Sequence, residues 1–459
     1  MENRTIAAIA TSLSPSGIGV IRISGKEAFE IVRRIVKKKN GKILFQDKIE
    51  SHVVSHGYVY DEDVLIDEVL VLTMMAPHTY TGEDTVEIDC HGGIFVMKKI
   101  LETVIKHGAV LAEPGEFSKR SFLNGKMDLS QAESVMDLIH STNEFAMENS
   151  LKQLSGKVKN RISDLRGKIL HEIAFIESAL DDPEHYSLEG YPQQLEEKVN
   201  LFLSETEELL KNADNGRMLK EGIKTVIVGK PNVGKSSFLN ALLGEERAIV
   251  TDIAGTTRDV LTECITYDGI TLNIVDTAGI RETEDVVEKI GVDKSREYLN
   301  SADLVVFLVD ATTPFEKEDE EILSLLENKK SLVLLNKTDL PSVISKEELQ
   351  DKTGVTVLPV SAKKEEGLDL FIREVKELFF TGEISIHEDV YITNVRQKQC
   401  LQSCCDSLNQ VLSSIGLGMP EDFFSIDLMS AYTELGNITG ESVGEDLVNE
   451  IFSKFCMGK

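Results

Sequence analysis

Apolar residues recur along the chain with two different periods, and the changes of period divide it. Within residues 1–120, the β-branched runs 18–23, 69–74 and 85–90 read as strands, and 28–37 and 94–107 carry the three-to-four spacing of amphipathic helices. Together they predict an α+β domain. From 130 to about 218 the spacing is helical throughout, broken at Asp181-Asp182-Pro183 and at Gly190-Tyr191-Pro192. Between 221 and 382 short apolar runs alternate with helical stretches, the pattern of a mostly parallel sheet covered on both faces. Helical spacing then returns up to Lys459. The expected organisation is an N-terminal α+β domain (1–120) followed by a helical domain in two halves (121–220 and 383–459). An α/β domain (221–382) is inserted between the halves, which requires only that its ends lie close together.

Composition narrows the class. No apolar run in the 459 residues approaches the roughly 20 needed to cross a bilayer, and the N-terminal segment lacks the uninterrupted apolar core of a signal peptide. The cytoplasm is the expected compartment. The six cysteines, at 90, 264, 400, 404, 405 and 456, form no CxxC pair, so reduced thiols are expected and the helical Cys400 and Cys404 read as buried. A net charge of −29 excludes a surface that binds nucleic acid all over. Residues 1–120 are close to balanced, with 15 basic and 17 acidic side chains, so any polyanion site is local. Arg33, Arg34 and Lys37 to Lys39 read as the solvated face of a helix.

The chemistry is concentrated in the inserted domain. A strand over 225–228 runs into Gly229-Lys230-Pro231-Asn232-Val233-Gly234-Lys235-Ser236, which matches G-x-x-x-x-G-K-[ST], and Ser237 continues into a helix. In such a loop the glycines let backbone amides face phosphate oxygens, Lys235 reaches the β- and γ-phosphates and the Ser236 hydroxyl ligates Mg²⁺. The base is selected by Asn336-Lys337-Thr338-Asp339 after the strand 332–335. Asp339 can accept from the two donors on the guanine edge; adenine has none there and would leave the carboxylate unpaired. Ser361-Ala362-Lys363, after the strand 357–360, supplies the supporting loop beside the guanine O6. Each motif alone could be a plain turn; the three in this order describe a GTP site.

Two further segments sense the γ-phosphate. Asp276-Thr277-Ala278-Gly279 follows the strand 272–275, where Asp276 holds Mg²⁺ through water and the Gly279 amide meets the γ-phosphate; Gly255-Thr256-Thr257-Arg258-Asp259 offers Thr257 as a second Mg²⁺ ligand. The position after Gly279, where Ras-like proteins carry a water-orienting Gln, is Ile280, which cannot orient water. Acceleration must come from a cation, a partner, or a carboxylate among Glu282, Glu284, Asp285 and Glu288.

These motifs, with Thr81-Gly82-Glu83-Asp84, His91-Gly92-Gly93, Pro114-Gly115-Glu116-Phe117-Ser118, the run from Phe122 to Leu129 and the tail Phe455-Cys456-Met457-Gly458-Lys459, resemble the MnmE (TrmE) family of tRNA-modification GTPases over the whole chain. The resemblance implies a homodimer whose GTPase domains meet with GTP bound, and a K⁺ ion held by the Asn232 side chain and backbone oxygens of Thr251, Ile253 and Thr256. It makes Glu288 the water-orienting carboxylate. It further implies a tetrahydrofolate donor (5,10-methylene or 5-formyl form) at Arg22, Glu87, Lys126 and Lys459, and a role for Cys456, whose thiol is otherwise expected on a mobile tail. A flavin-dependent MnmG-type partner carrying FAD and using NADH would join it in a heterotetramer. The product would be a carboxymethylaminomethyl-type group at C5 of the wobble uridine (position 34) of certain tRNAs. The alternative is a regulatory Era-like GTPase acting in ribosome or membrane assembly without modification chemistry, and a third reading is a folate-binding transfer protein with an added GTPase.

Overall fold

The computed structural model describes residues 4–45, 49–141, 143–244, 249–250, 262–267, 270–275, 302–326, 329–379, 391–456 and 458. Chain contacts separate two compact units. One comprises 1–136, 153–195 and 410–459, and the other 137–152 and 196–409.

The first unit opens with β1 (Ile6–Ile9), β2 (Ile18–Ser24), α1 (Ala28–Ile35), β3 (Val36–Lys37), β4 (Val53–Asp61), β5 (Val64–Met74), β6 (Thr85–His91), α2 (Ile94–Lys106) and β7 (Val110–Leu111). Its seven strands lie in the order β3-β4-β5-β6-β2-β1-β7, antiparallel except where β7 joins β1. One face is buried. On β5, Val69 and Val71 point into the core while Leu70 between them is 45% exposed, the alternation of a sheet covered on one side. Ile31, Val32, Ile35, Met97, Ile100 and Val104 from α1 and α2 supply that cover. The helix expected over 28–37 stops at Ile35. Val36 turns extended (φ −111°, ψ 128°) and pairs with Val59, both fully buried, because a β-branched side chain fills the sheet edge better than another helical turn.

The same unit contains α3 (Glu116–Leu123) and α4 (Leu129–Ile139), and after α5 (Glu144–Leu154) it takes up α6 (Lys157–Asp181). Near its C-terminal end α13 (Glu421–Thr439) packs along α6, and α14 (Glu445–Ser453) against α3. Buried Arg166 of α6 ties the first pair together by an ion pair with Glu441, with its guanidinium 4.1 Å from the Tyr432 ring centroid. A smaller core joins Leu129 and Ala132 to Val448, Phe452 and Phe455.

The second unit is built on β8 (Ile223–Val228), α8 (Lys235–Gly244), β9 (Ile249–Val250), β10 (Thr262–Tyr267), β11 (Ile270–Val275), β12 (Leu304–Asp310), α9 (Lys317–Ser324), β13 (Ser331–Asn336), α10 (Lys346–Thr353), β14 (Val357–Pro359) and α11 (Leu368–Phe379). The strand order is β14-β13-β12-β8-β11-β10-β9, parallel from β14 to β11 and antiparallel beyond. Every residue of β12 is buried. Leu304, Val306 and Leu308 enter one core with Phe238 and Phe371, and Val305, Phe307 and Val309 enter another with Leu335 and Leu349. Such two-sided burial is the mark of a parallel sheet between helical layers. Parts of α7 (Tyr191–Glu221) and α12 (Val395–Gly416) and most of α5 belong to this unit as well. Among the described residues no helix is long and apolar enough to cross a membrane.

Candidate nucleotide site

Strand β8 ends at Val228 and the helix α8 begins at Lys235, so residues 229–234 form the loop at the carboxyl edge of the sheet, where parallel-sheet proteins bind ligands. Its backbone leaves little choice of residue. Gly234 sits at φ +100°, and a Cβ there would lie 2.3 Å from Asn336 Nδ2. Asn232, at φ +63°, occupies the left-handed region that Asn tolerates better than most side chains, with its own side chain exposed. Lys235 Nζ donates to Gly229 O at 2.6 Å and Lys230 O at 2.9 Å, which leaves a third donor for an incoming anion. Burial pulls this ammonium below the ordinary lysine pKa. Ser236 and Ser237 are both exposed on the first turn of α8, and Val233 is buried beneath the loop.

A single amide joins three loops. Asn336, 2% exposed, donates from Nδ2 to Val233 O at 2.8 Å, and its Oδ1 accepts from Ala362 N at 3.1 Å. The phosphate loop, the end of β13 and the loop after β14 are thereby held in one register. Next to it Ser361, fully buried, donates from Oγ to Asp339 Oδ1 at 2.8 Å. That hydrogen bond holds the Asp339 carboxyl below the usual range, so it is an acceptor at neutral pH. Lys337 bridges back to the phosphate loop, donating to Asn232 O at 2.9 Å while pairing with Asp310 Oδ2 at 2.6 Å. Burial raises the Asp310 carboxyl, but Lys337 and the amide and hydroxyl of Thr312 outweigh it and keep the group below its ordinary value. Ala362 is buried and Lys363 exposed.

Sequence reading missed Asp310. The signal was available: a lone carboxylate ends the apolar strand β12 and lies in register with Asn336 on β13. Thr251, Ile253, Thr256, Thr257, Asp276, Thr277, Ala278, Gly279, Ile280, Glu288 and Lys459 lie outside the described residues.

In the first unit, Arg22 and Glu87 are cross-strand partners on β2 and β6, 2.7 Å apart and 17% and 20% exposed. Arg22 also donates from Nη1 to Gly458 O at 3.1 Å, and its guanidinium lies 5.7 Å from the ring centroids of Tyr80 and Phe117. The Nη2 edge makes no hydrogen bond within the described residues. Lys126 is exposed and donates to Pro77 O at 3.0 Å. The motifs around these residues build scaffold. Glu83 accepts from Ser24 and Arg120, Thr81 shares a hydroxyl contact with Ser24, Tyr80 with Ser118, and Asp67 clamps both the amide and the ring of His91.

The tail departs from expectation. Rather than swinging free, it is held: Phe455 is buried against Phe452, Gly115 N donates to Cys456 O at 3.3 Å, and Gly458 lies so close to β1 that a Cβ would stand 2.4 Å from Ile9 O. The Cys456 side chain itself is exposed.

Two family models match: "MnmE helical domain" over residues 129–456 and "GTP-binding protein TrmE N-terminus" over 5–126. The tRNA modification GTPase MnmE of Lachnoclostridium phytofermentans is 53% identical to this chain over 100% of both, and that of Carboxydothermus hydrogenoformans 46% identical, again over 100% of both. The G domain of the T. maritima FeoB iron transporter is 31% identical over 34% of this chain and 98% of that one, with a TM-score of 0.27. Full-length identity at this level, together with matches to both family models, favours this reading over the regulatory alternative: the chain belongs to the MnmE family and is a GTP hydrolase of tRNA modification.

Proposed function

We propose that the chain is a K⁺-stimulated GTPase that works as a homodimer with a flavin-dependent partner. Its product is a carboxymethylaminomethyl-type group at C5 of the wobble uridine of certain tRNAs, built from a tetrahydrofolate one-carbon donor. The observation that carries the nucleotide half is the Asn336 amide, which links the phosphate loop to Ala362 beside the Ser361–Asp339 pair. A phosphate seat and a base-edge acceptor are thus fixed relative to each other by one buried side chain.

Within this site Lys235 gives its remaining donor to the β/γ-phosphate oxygens, the first-turn amides of α8 add the positive end of the helix dipole, and ionised Asp339 accepts from the guanine N1–H and N2–H₂. Ser361 holds that carboxylate at the correct angle. Ser236, at the helix start, and Thr257 would hold Mg²⁺; Asn232 with backbone oxygens of Thr251, Ile253 and Thr256 would hold K⁺. The exposed Asn232 side chain is free of the loop's packing, which suits this role. When bound, the two cations offset the negative charge that grows between the β- and γ-phosphates. Glu288 would orient the attacking water, the task that Ile280 cannot perform.

Turnover in K⁺ buffer is expected to exceed that in Na⁺ buffer by roughly tenfold or more, with Asn232→Ala removing the difference. Equal steady-state rates of phosphate release in the two salts would reject the ion.

The folate half is supported by the meeting of a cation, a carboxylate and the Tyr80 ring on β2 and β6, with one guanidinium edge still open among the described residues. Arg22 suits a glutamyl carboxylate, Glu87 the donor edge of a pterin, and Lys126 and Lys459 extend the positive side. Calorimetric titration with 5-formyl-tetrahydrofolate should show Arg22→Ala binding about 10- to 100-fold more weakly than the unaltered chain. An unchanged Kd removes Arg22 from the site. The overall reaction is tested by mass spectrometry of tRNA from cells lacking the gene, where an intact C5-modified wobble uridine would sink the proposal.

A further inference from the structure

The phosphate loop has one more buried connection, on its outer side. Lys230, the second residue of the loop, has a side chain only 13% exposed whose Nζ lies 2.7 Å from Asp319 Oδ2 and 3.2 Å from Glu316 Oε2. Asp319 is the third residue of α9 and 1% exposed. Its Oδ2 also accepts from Glu316 N at 2.9 Å, closing the capping box at the start of that helix, whereas Oδ1 is buried without a hydrogen-bond partner among the described residues. A buried carboxylate with one oxygen unsatisfied depends heavily on its single close cation. The dependence is mutual, since the Asp319 hydrogen bond raises the Lys230 ammonium above the ordinary lysine value.

What makes the pair more than a helix cap is the other end of Lys230. Its backbone oxygen is one of the two that receive Lys235 Nζ, so the residue is held by its side chain to α9 and by its carbonyl to the ammonium that meets phosphate. We propose that Lys230 and Asp319 are positioning residues of the GTP site, with α9 serving as a strut that fixes the outer turn of the phosphate loop. The pair then governs how tightly nucleotide is held, and leaves the chemical step alone. This rests on residues 229–236 being the phosphate loop, and Lys235→Ala is the control for that assignment.

The test uses full-length Lys230→Met, Asp319→Asn, the double variant and Lys230→Arg, each measured for GTP KM, kcat and GDP Kd, with melting temperature alongside. Either single change breaks the buried pair and can lower Tm by itself. In the double variant no charge is buried alone, and the side-chain amide oxygen introduced at position 319 still accepts from Glu316 N, so the chain folds. Its KM and Kd are nevertheless expected to rise about tenfold with kcat within twofold, while Lys230→Arg stays near the unaltered values. A double variant with nucleotide affinity within twofold of the unaltered chain, or one whose loss falls on kcat, overturns the proposal. Lys235→Ala that binds GTP normally would instead remove the loop assignment itself.

Discussion

Asp339→Asn is expected to weaken GTP binding by roughly two to three orders of magnitude and to make xanthosine triphosphate the better ligand. The carboxylate has one oxygen engaged by Ser361 and is ionised at neutral pH, so it presents only acceptors to the base edge. An amide in its place turns a donor toward the guanine N2–H₂, pairing donor with donor. Xanthine carries an oxygen there and restores the match. Competition of GTP and XTP against a fluorescent nucleotide reads the change directly. Retained GTP preference would mean that the base edge is read elsewhere and that Ser361–Asp339 is only a loop-closing contact.

The second large effect is steric. Gly234→Ala places a methyl 2.3 Å from Asn336 Nδ2, and that nitrogen cannot retreat because it is already committed to Val233 O and its oxygen to Ala362 N. The backbone at φ +100° adds a penalty of its own for any L side chain. The amide bridge must break or the phosphate loop must shift. Since the same bridge sets the distance between phosphate seat and base reader, kcat/KM for GTP should fall by at least about 100-fold. The protection of the first unit, followed by hydrogen exchange on β2 and β6, should stay unchanged. A variant that keeps its GTPase activity would show that the loop can rearrange around a methyl group, and that Asn336 is dispensable as a spacer.

Much of this was legible in the sequence because the relevant signals are local. Alternation along β5 and unbroken burial along β12 follow from side-chain period and sheet type, and both sheets lie close to the expected runs. The phosphate loop and the Asn336-to-Asp339 stretch were legible for the same reason, being contiguous residues with fixed backbone demands. What was not legible depends on partners distant in sequence. Val36 leaves the helix because Val59, well downstream, offers an apolar slot. Asp310 matters only because β13 brings Lys337 against it. The motifs Thr81-Gly82-Glu83-Asp84 and Pro114 to Ser118, which stand out in the sequence only through the family resemblance, make scaffold contacts with Ser24, Tyr80 and Arg120.

The held tail has a consequence in time. Arg22 and Gly458 are 436 residues apart, and the groups that meet Phe452, Phe455 and Gly458 belong to segments made in the first third of the chain. At about 5–20 residues per second of synthesis, Arg22 waits roughly 20–90 s for Gly458. During that interval Leu129 and Ala132 lack their apolar cover and Arg22 faces water on the side the tail will occupy. The first unit therefore gains its last contacts only once residues 445–458 have been made, and a chain cut short of them would keep all seven strands of the sheet but leave Leu129, Ala132 and Arg22 without those partners.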